Sequence, residues 1–385
     1  MIYFEAKMLL GKIKTFLFIC VVILEVTALK PSLAADCRVE TPETTTVTLT
    51  GSFYAGNDMP VGSVIFNTVA SEQNMSGISC NGPFSLYVYQ RPVTEPMGAP
   101  FQISGVPFVG SRVYPTNVKG VGLVLWNSNA SYTKAEPFRY SKPWSMDVAG
   151  ISKMNFAVGI ALVKTGPIAS GSRVDASSIP QIITDIPAQE GHTGLPVTLW
   201  SVSFAGSINF ITQTCSTSDY QVQMGRYDAK ESFSGEGTFT EWKDASILLQ
   251  NCPTFTGYHN TSTPQRAIGS AVSSGTNKTA SMLKVSLQPL SEVINSEKGL
   301  IKVTADNGSY PATGVALQLG YSESVNASPL NPAIIWKNGQ SWRVTAPNDG
   351  SSTIKIPLAA RYYQTDKTIT PGGADGKVMF TISYE

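Results

Sequence analysis

The chain has 385 residues, which is enough for two domains of ordinary size. Its 28 Lys and Arg residues nearly balance 27 Asp and Glu residues, so no basic excess is available to drive binding to nucleic acid. Hydrophobic residues make up 42% of the chain and charged residues only 14%, which excludes a disordered protein. Only two histidines are present, and most zinc and acid–base sites depend on that residue. We therefore expect no metal, no cofactor and no nucleic acid partner.

The N-terminus has the three parts of a secretory signal peptide. Three lysines precede an apolar run at residues 16–24, and small residues follow at 32–35. The run is about half as long as a membrane-spanning helix, so a permanent anchor fits it less well. We predict a signal peptide over residues 1–35, cut after Ala34 or Ala35, and an exported mature protein.

Cysteine usage agrees with export. Of five cysteines, one would leave with the signal peptide, so an even four remain in two widely separated pairs. In an oxidising compartment the simplest connectivity is Cys37–Cys80 and Cys215–Cys252, with one disulfide in each predicted domain. A zinc site is the alternative, but the sequence has no Cys-x-x-Cys motif and no nearby histidine to support it. We predict the two disulfides.

The body of the chain has the period-two alternation that is typical of β-strands. No window of a dozen residues has a convincing helical period, and residues 291–298 could form at most a short helical turn. We predict an all-β protein of two β-sandwiches in tandem, with the boundary near residue 211. The clearest strand patterns, separated by turn-forming clusters, lie at residues 47–50, 85–89, 122–126, 156–163, 283–287, 300–303 and 378–384.

The C-terminal part of the chain, from Thr214 onward, carries five motifs in a fixed order. They are Thr214-Cys215, Ile247-Leu-Leu-Gln-Asn-Cys252-Pro253, Gly314-Val-Ala-Leu-Gln-Leu319, Ile356-Pro-Leu-Ala-Ala-Arg-Tyr-Tyr363, and Thr370-Pro-Gly-Gly373 leading to Val378-Met-Phe-Thr-Ile-Ser-Tyr384-Glu385. In content, order and spacing these motifs resemble a pilin domain of the chaperone–usher fimbrial family. The resemblance covers residues 212–385.

This resemblance implies an immunoglobulin-like sandwich that lacks its last strand. The open sheet edge would be filled first by a periplasmic chaperone and then by a strand of the next fimbrial subunit, with an outer-membrane usher as the third assembly partner. The carboxylate at Glu385 would dock against basic residues of the chaperone. The alternative is an ordinary closing strand of a complete sandwich. Because alternate residues of a strand share a face, the groove wall would consist of Val378, Phe380, Ile382 and Tyr384.

The N-terminal part, residues 36–211, has motifs of its own. They are Tyr114-Pro-Thr-Asn-Val-Lys-Gly-Val-Gly122, Ile160-Ala-Leu-Val-Lys-Thr-Gly166, Ile168-Ala-Ser-Gly171 and Phe204-Ala-Gly-Ser-Ile-Asn-Phe-Ile211, together with a cysteine almost at the mature N-terminus. These motifs resemble the receptor-binding domain of two-domain fimbrial tip adhesins. A subunit that begins with such a domain has a groove to fill but no strand to donate, so it would sit at the end of a fibre.

The two resemblances together imply a fimbrial tip adhesin without enzymatic activity. Residues 36–211 would bind a host-surface glycan or glycoprotein, and residues 212–385 would attach the protein to the fibre. The protein would be secreted through the periplasm to the fimbrial tip on the bacterial surface. One alternative is a tip or structural subunit that binds a protein or an abiotic surface. A remoter one is a secreted carbohydrate-active enzyme with Asp185 and Glu190 as its acid pair.

A sugar site needs amides and carboxylates for the hydroxyl groups, and an aromatic face for the C–H side of the ring. Residues of these types lie on predicted loops of the first domain. Each of them could instead be a solvated loop residue or, for the tryptophans, a core aromatic. Mannose-binding relatives carry a polar cluster after the second cysteine, from which Asn81-Gly82-Pro83 departs, so mannose is not expected. The candidates are Asn81, Trp126, Asn127, Asn129, Tyr132, Tyr140, Trp144, Asp185, Gln189 and His192.

Overall fold

The structure is a computed structural model that describes residues 34–95, 97–273, 278–305 and 309–385. Most of the predicted signal peptide, residues 1–33, lies outside the described residues. Within them the chain is almost entirely β-structure, with one α-helix, α1 (Ala229–Ser232), and one 3-10 turn (Ala176–Ser178). The predicted all-β fold class is confirmed. No helix in the described part of the chain is long and apolar enough to cross a membrane.

Residues 34–211, called here the first lobe, form strands β1 to β18. They are β1 Ala35–Val39, β2 Glu43–Tyr54, β3 Val64–Ser71, β4 Ser76–Cys80, β5 Phe84–Leu86, β6 Tyr89–Pro92, β7 Phe101–Gln102, β8 Arg112–Pro115, β9 Val121–Asn127, β10 Ala130–Ser131, β11 Phe138–Arg139, β12 Trp144–Met146, β13 Gly150–Met154, β14 Ala157–Lys164, β15 Arg173–Asp175, β16 Ile182–Ile186, β17 His192–Thr193 and β18 Val197–Ile211.

The two larger sheets of the first lobe enclose one core. In one sheet β3, β14, β9, β8 and β7 are neighbours in that order; in the other, β11, β6, β16, β18 and β15 follow one another. The long strand β18 also pairs in parallel with β2. Apolar and polar residues alternate along β2, which therefore has one face toward the core and one toward solvent. Val47 and Leu49 are buried, while Thr46 and Thr48 are exposed. By contrast β9 and β14 lie inside their sheet and are almost wholly buried.

Residues 212–385, called here the second lobe, contain α1 and strands β19 to β31. The strands are β19 Lys243–Asp244, β20 Ile247–Leu249, β21 Gln265–Ile268, β22 Ala271–Val272, β23 Met282–Pro289, β24 Val293–Asn295, β25 Leu300–Lys302, β26 Val315–Tyr321, β27 Ile334–Ile335, β28 Ser341–Thr345, β29 Ile354–Ile356, β30 Leu358–Gln364 and β31 Val378–Tyr384.

The second lobe has a core of its own. One sheet has the order β19, β30, β26, β25 and β24, a second has the order β28, β23 and β31, and β20 pairs with β29. Leu283 and Val285 of β23 are buried in this core together with Trp336. Residues 291–298 contain β24 and a turn, so the helical turn allowed by the sequence does not form there. The immunoglobulin-like topology stays a prediction.

Both predicted disulfides are present. Cys37–Cys80 joins β1 to β4 at a point where the two cysteines are direct cross-strand partners. Cys215–Cys252 joins the segment that follows β18 to the residues just after β20. The sequence separations are 43 and 37 residues. Closing loops of this length restricts the unfolded chain and contributes on the order of 4 kcal/mol for each bond.

One strand of the second lobe belongs to a sheet of the first lobe. β21 runs parallel to β3, with Gln265 opposite Thr68 and Ile268 opposite Ser71, and β22 turns back along β21. Ala267 of β21 is 1% exposed and lies in the core of the first lobe. The predicted boundary near residue 211 assigns β21 to the second domain and does not include its pairing with β3. The division into domains at that residue stays a prediction.

Candidate functional site

The last strand of the chain, β31, has a partner on one side. It pairs antiparallel with β23 along its whole length, from Tyr384 opposite Leu283 to Val378 opposite Pro289. Among the described residues no strand pairs with its other side, which we call the accepting edge. An unpaired edge offers main-chain N–H and C=O groups to another chain.

Hydrogen bonds at the two ends of β31 identify the residues that face the accepting edge. Glu385 N donates to Met282 O at 2.8 Å, Met282 N donates to Glu385 O at 2.7 Å, and Leu290 N donates to Lys377 O at 2.9 Å. Such bonding alternates along an antiparallel pair, so the even-numbered residues between Lys377 and Glu385 direct their main-chain groups away from β23. The accepting edge therefore consists of the main chain of Val378, Phe380, Ile382 and Tyr384.

The side chains of the same four residues lie on the inner face of the sheet. Tyr384 is buried, whereas Val378, Phe380 and Ile382 are half-buried and pack against the core of the second lobe. The ring of Tyr220 lies 6.2 Å from that of Phe380 and covers part of this face. Apolar side chains that are only partly covered are what a groove that accepts further side chains requires.

Glu385 lies among cations of its own sheet. Its side-chain carboxylate accepts a hydrogen bond from Arg343 Nε at 2.6 Å and lies 3.9 Å from Lys284 Nζ. Both cations belong to neighbouring strands, β28 and β23. The side chain is thus held by its own chain, and docking of the terminal carboxylate against a chaperone stays a prediction.

Gln189, His192 and Asn81, three of the ten predicted ligand-binding residues, lie along one surface of the first lobe. Gln189 Oε1 accepts a hydrogen bond from Tyr87 N at 2.9 Å, and Gln189 Nε2 donates to Tyr87 O at 2.9 Å. The guanidinium of Arg139 lies over the ring of Tyr87, 4.8 Å from its centre. Because Tyr87 is 36% exposed, an aromatic face and a cation are open to solvent together here.

The same surface continues to Asn81 through short polar contacts. His192 N donates to Gln189 O at 3.3 Å. The next residue, Thr193, donates from its hydroxyl to Asp36 Oδ1 at 2.9 Å. Asp36 N in turn donates to Asn81 Oδ1 at 2.7 Å. We call the surface formed by Tyr87, Arg139, Gln189, His192 and Asn81 the polar strip.

Sequence reasoning missed Tyr87. The alternation in Ser85-Leu-Tyr-Val-Tyr89 contained the signal, because Leu86 and Val88 are buried and Tyr87 between them points outward. Its environment could not be predicted, since Gln189 approaches it from 102 residues away.

Asn127 and Tyr140 belong to an internal hydrogen-bond network. Asn127 Nδ2 donates to Gln90 Oε1 at 2.8 Å and to Ala157 O at 2.9 Å, and Gln90 Nε2 donates to the Tyr140 hydroxyl at 3.1 Å. Gln90 is fully buried, and burial raises the pKa of Tyr140 above its usual range. These polar groups satisfy one another inside the first lobe.

The other three aromatic candidates are packing residues. Tyr132 and Trp144 are buried in the core of the first lobe. Trp126 is half-buried; its Nε1 donates to Asn67 Oδ1 at 3.0 Å and its ring lies 5.2 Å from that of Phe108. None of the three belongs to the polar strip: Tyr132 and Trp144 are buried, and Trp126 is held by its contacts to Asn67 and Phe108.

Asp185, on β16, is a buried carboxylate. One oxygen accepts a hydrogen bond from Arg91, and the other has no hydrogen-bond partner among the described residues. Burial raises the pKa of the Asp185 carboxyl, and Arg91 partly offsets that effect. The carboxylate holds Arg91 in place and is itself closed to a ligand.

Asn129 has a backbone role. Ser128 and Asn129 have φ values of 48° and 65° and form a two-residue loop between β9 and β10, in which Asn127 is opposite Ala130. Two positive φ values in succession are characteristic of the tight hairpin turn that Asn favours. The residue type is therefore explained by the turn.

Comparison with known proteins identifies the C-terminal part of the chain. Residues 202–385 match the family model described as "Fimbrial protein". This part of the chain is therefore similar to fimbrial proteins, and the resemblance that its sequence motifs predicted is confirmed at that level. No curated protein matches the chain significantly.

Several solved structures of adhesins are similar at low identity. The CupB6 tip adhesin from Pseudomonas aeruginosa shares 12% identity, with 91% of this chain and 94% of that chain covered and a TM-score of 0.31. The receptor binding domain of the adhesin MrkD1P of Klebsiella pneumoniae shares 17% identity, with 47% and 98% covered and a TM-score of 0.28. The CsuC–CsuE chaperone–tip adhesion subunit complex of Acinetobacter baumannii gives 12% identity, 90% and 100% coverage and a TM-score of 0.21.

Proposed function

We propose that this chain, whose residues 202–385 match the fimbrial protein family model, is the adhesive tip subunit of a bacterial fimbria. The observation that carries the proposal is the accepting edge of β31, with its unpaired main chain and its half-buried apolar side chains. An open sheet edge of this kind is a ready template for pairing with a strand of another chain.

The occupants of the accepting edge would follow one another during export. A periplasmic chaperone covers it first, and an outer-membrane usher then exchanges the chaperone for a strand of the next fimbrial subunit. Strand addition supplies affinity through main-chain hydrogen bonds and specificity through alternate side chains. The protein would travel through the periplasm to the cell surface and stay at the fibre tip.

The polar strip of the first lobe would bind the receptor, a host-surface glycan or glycoprotein. Tyr87 supplies a partly exposed ring for the C–H face of a sugar, and Arg139, His192 and Asn81 supply hydrogen-bonding groups for hydroxyls. Gln189 holds the main chain of Tyr87 in place. Tyr132, Trp144 and Asp185 are buried, so we do not include them in the proposed contact surface.

Immunogold labelling of cells that express the native fimbria tests the position of the subunit. Antibody against the mature chain should label only fibre ends. Labelling along the shafts would contradict a tip subunit, because a shaft subunit must both accept and donate a strand.

A glycan array probed with the mature full-length chain, secreted so that both disulfides form, tests the receptor site. We expect concentration-dependent binding that Tyr87→Ala reduces by about tenfold or more, the loss of one stacking contact of about 1.4 kcal/mol. The matched control is Tyr310→Ala in the second lobe, where the removed ring is 89% exposed. Binding that both variants keep in full would exclude the polar strip.

A further inference from the structure

The first lobe reaches the accepting edge at one point. Asp58 Oδ2 accepts a hydrogen bond from the main-chain N–H of Tyr384, the last N–H group of that edge. Asp58 Oδ1 accepts one from the Tyr54 hydroxyl at 2.5 Å. The two tyrosine rings lie 5.4 Å apart. A carboxylate of the first lobe thus bonds an N–H group of the second lobe that an added strand would otherwise use. The two residues are 326 positions apart in the sequence.

The loop that carries Asp58 is held firmly. The buried Lys164 side chain donates from Nζ to Gly56 O, and Lys164 O accepts a hydrogen bond from Gly62 N at 2.8 Å. Met59 N donates to Gly56 O at 3.2 Å. These bonds fix the loop on both sides of Asp58. The backbone that carries the carboxylate is therefore already held in position for the hydrogen bond to Tyr384.

The accepting edge ends in a cleft between the lobes. The cleft has a volume of about 430 Å³, and Asn57 and Asp58 line it opposite Ile382 and Tyr384. On the other side of Tyr384, its hydroxyl accepts the N–H of Cys215 at 2.9 Å. The main-chain N–H and the hydroxyl of Tyr384 are therefore both engaged, whereas no hydrogen bond occupies the edge groups of Val378, Phe380 and Ile382 among the described residues.

We propose that Asp58 ends the accepting edge, so that an extended segment of another subunit pairs with Val378 to Ile382 and leaves the strand before Tyr384. The inference rests on the proposed function, because it assumes that the edge takes up a strand. A carbonyl of the incoming strand would have to displace a charged acceptor from Tyr384 N–H, and charge-assisted hydrogen bonds are the stronger ones. The first lobe thereby sets the register of strand addition to the second.

Residue-resolved amide hydrogen exchange of the mature full-length chain tests this inference. The probe is a synthetic peptide of about 12 residues with alternating valine and threonine, long enough at about 3.4 Å per residue to span the whole edge. In the free protein we expect the Tyr384 amide to be protected and those of Phe380 and Ile382 to exchange faster. The peptide should slow exchange at Phe380 and Ile382 and leave Tyr384 unchanged.

Asp58→Ala should speed exchange at Tyr384 in the free protein by about tenfold or more, as expected on losing a hydrogen bond to a charged acceptor. In this variant the peptide should protect Tyr384 as well. The matched control is Asn57→Ala, which changes the same cleft without a bond to Tyr384. An unchanged Tyr384 amide in Asp58→Ala, or added protection of Tyr384 by the peptide in the wild type, would overturn the role of Asp58. If the peptide protects none of these amides, the proposed strand addition is wrong and the inference falls with it.

Discussion

The side-chain amide of Asn67 donates to the main-chain oxygen of Asn260 at 3.0 Å, across 193 residues of sequence and from one lobe to the other. Beside it, Thr68 Oγ1 donates to Gln265 O at 3.1 Å, where β21 begins to run along β3. β21 therefore extends a sheet of the first lobe, although it begins more than fifty residues after the end of that lobe. This arrangement ties the stability of the first lobe to the second.

Replacing Ala267 by Lys should detach β21 from β3. Ala267 is 1% exposed in the core of the first lobe, so the new ammonium would be buried without a partner. We expect a loss of about 3 kcal/mol in the free energy of unfolding, measured by urea titration of the mature chain. Ile268→Lys is the control, because the neighbouring side chain is 59% exposed. Equal stability of the two variants would show that the strand is not docked.

Residues 36–211 expressed alone should be less stable than the same residues within the full chain. Without the second lobe, the edge of β3 loses its partner and exposes main-chain groups. We expect aggregation or an unfolding midpoint several degrees lower, together with partial recovery when a peptide of residues 258–273 is added. A first lobe as stable alone as in the full chain would contradict a structural role for β21.

Local patterns in the sequence predicted much of the fold, and long-range contacts explain most of what was missed. The continuous apolar run at residues 122–126 predicted β9, and the alternation at residues 378–384 predicted β31. β21 has no such pattern, and only its docking on β3 makes it a strand. Nothing near Asp58 in the sequence indicates that it meets Tyr384. Of the site candidates, Trp144 and Tyr132 could not be told from surface aromatics, because residue type alone does not fix burial.

Asn127→Ala should destabilise the first lobe without involving any ligand. The change removes Asn127 Nδ2, which donates to Gln90 Oε1 at 2.8 Å. Because the Gln90 side chain is fully buried, its oxygen loses this donor. The expected cost is about 2 kcal/mol, measured by chemical unfolding. In the same hairpin, Asn129→Gly should be nearly neutral, because glycine accepts the φ value of 65° without strain. An unchanged free energy of unfolding in Asn127→Ala would contradict a stabilising role for the hydrogen bonds of Asn127 in the internal network.

His259 should make the contact between the lobes sensitive to acid. Its ring is buried, with centroid distances of 6.2 Å to both Phe53 and Phe66, and its Nδ1 lies 3.0 Å from Thr263 O. Since a carbonyl can only accept, Nδ1 carries a proton, so the neutral form of the ring is the Nδ1–H tautomer. Burial lowers the pKa of His259 below the ordinary value of 6.5.

The unfolded chain therefore binds a proton on His259 at a pH where the folded chain does not. Its contribution to stability is complete above the ordinary histidine pKa and is lost as the pH falls from there toward the lower pKa of the folded state. Between pH ~7.5 and pH ~5.5, wild type should lose more unfolding free energy than His259→Gln, which keeps an N–H donor but does not titrate. His192→Gln, in the polar strip, is the control and should follow the wild type. Parallel pH profiles for wild type and His259→Gln would show that the imidazole is not held neutral between the lobes.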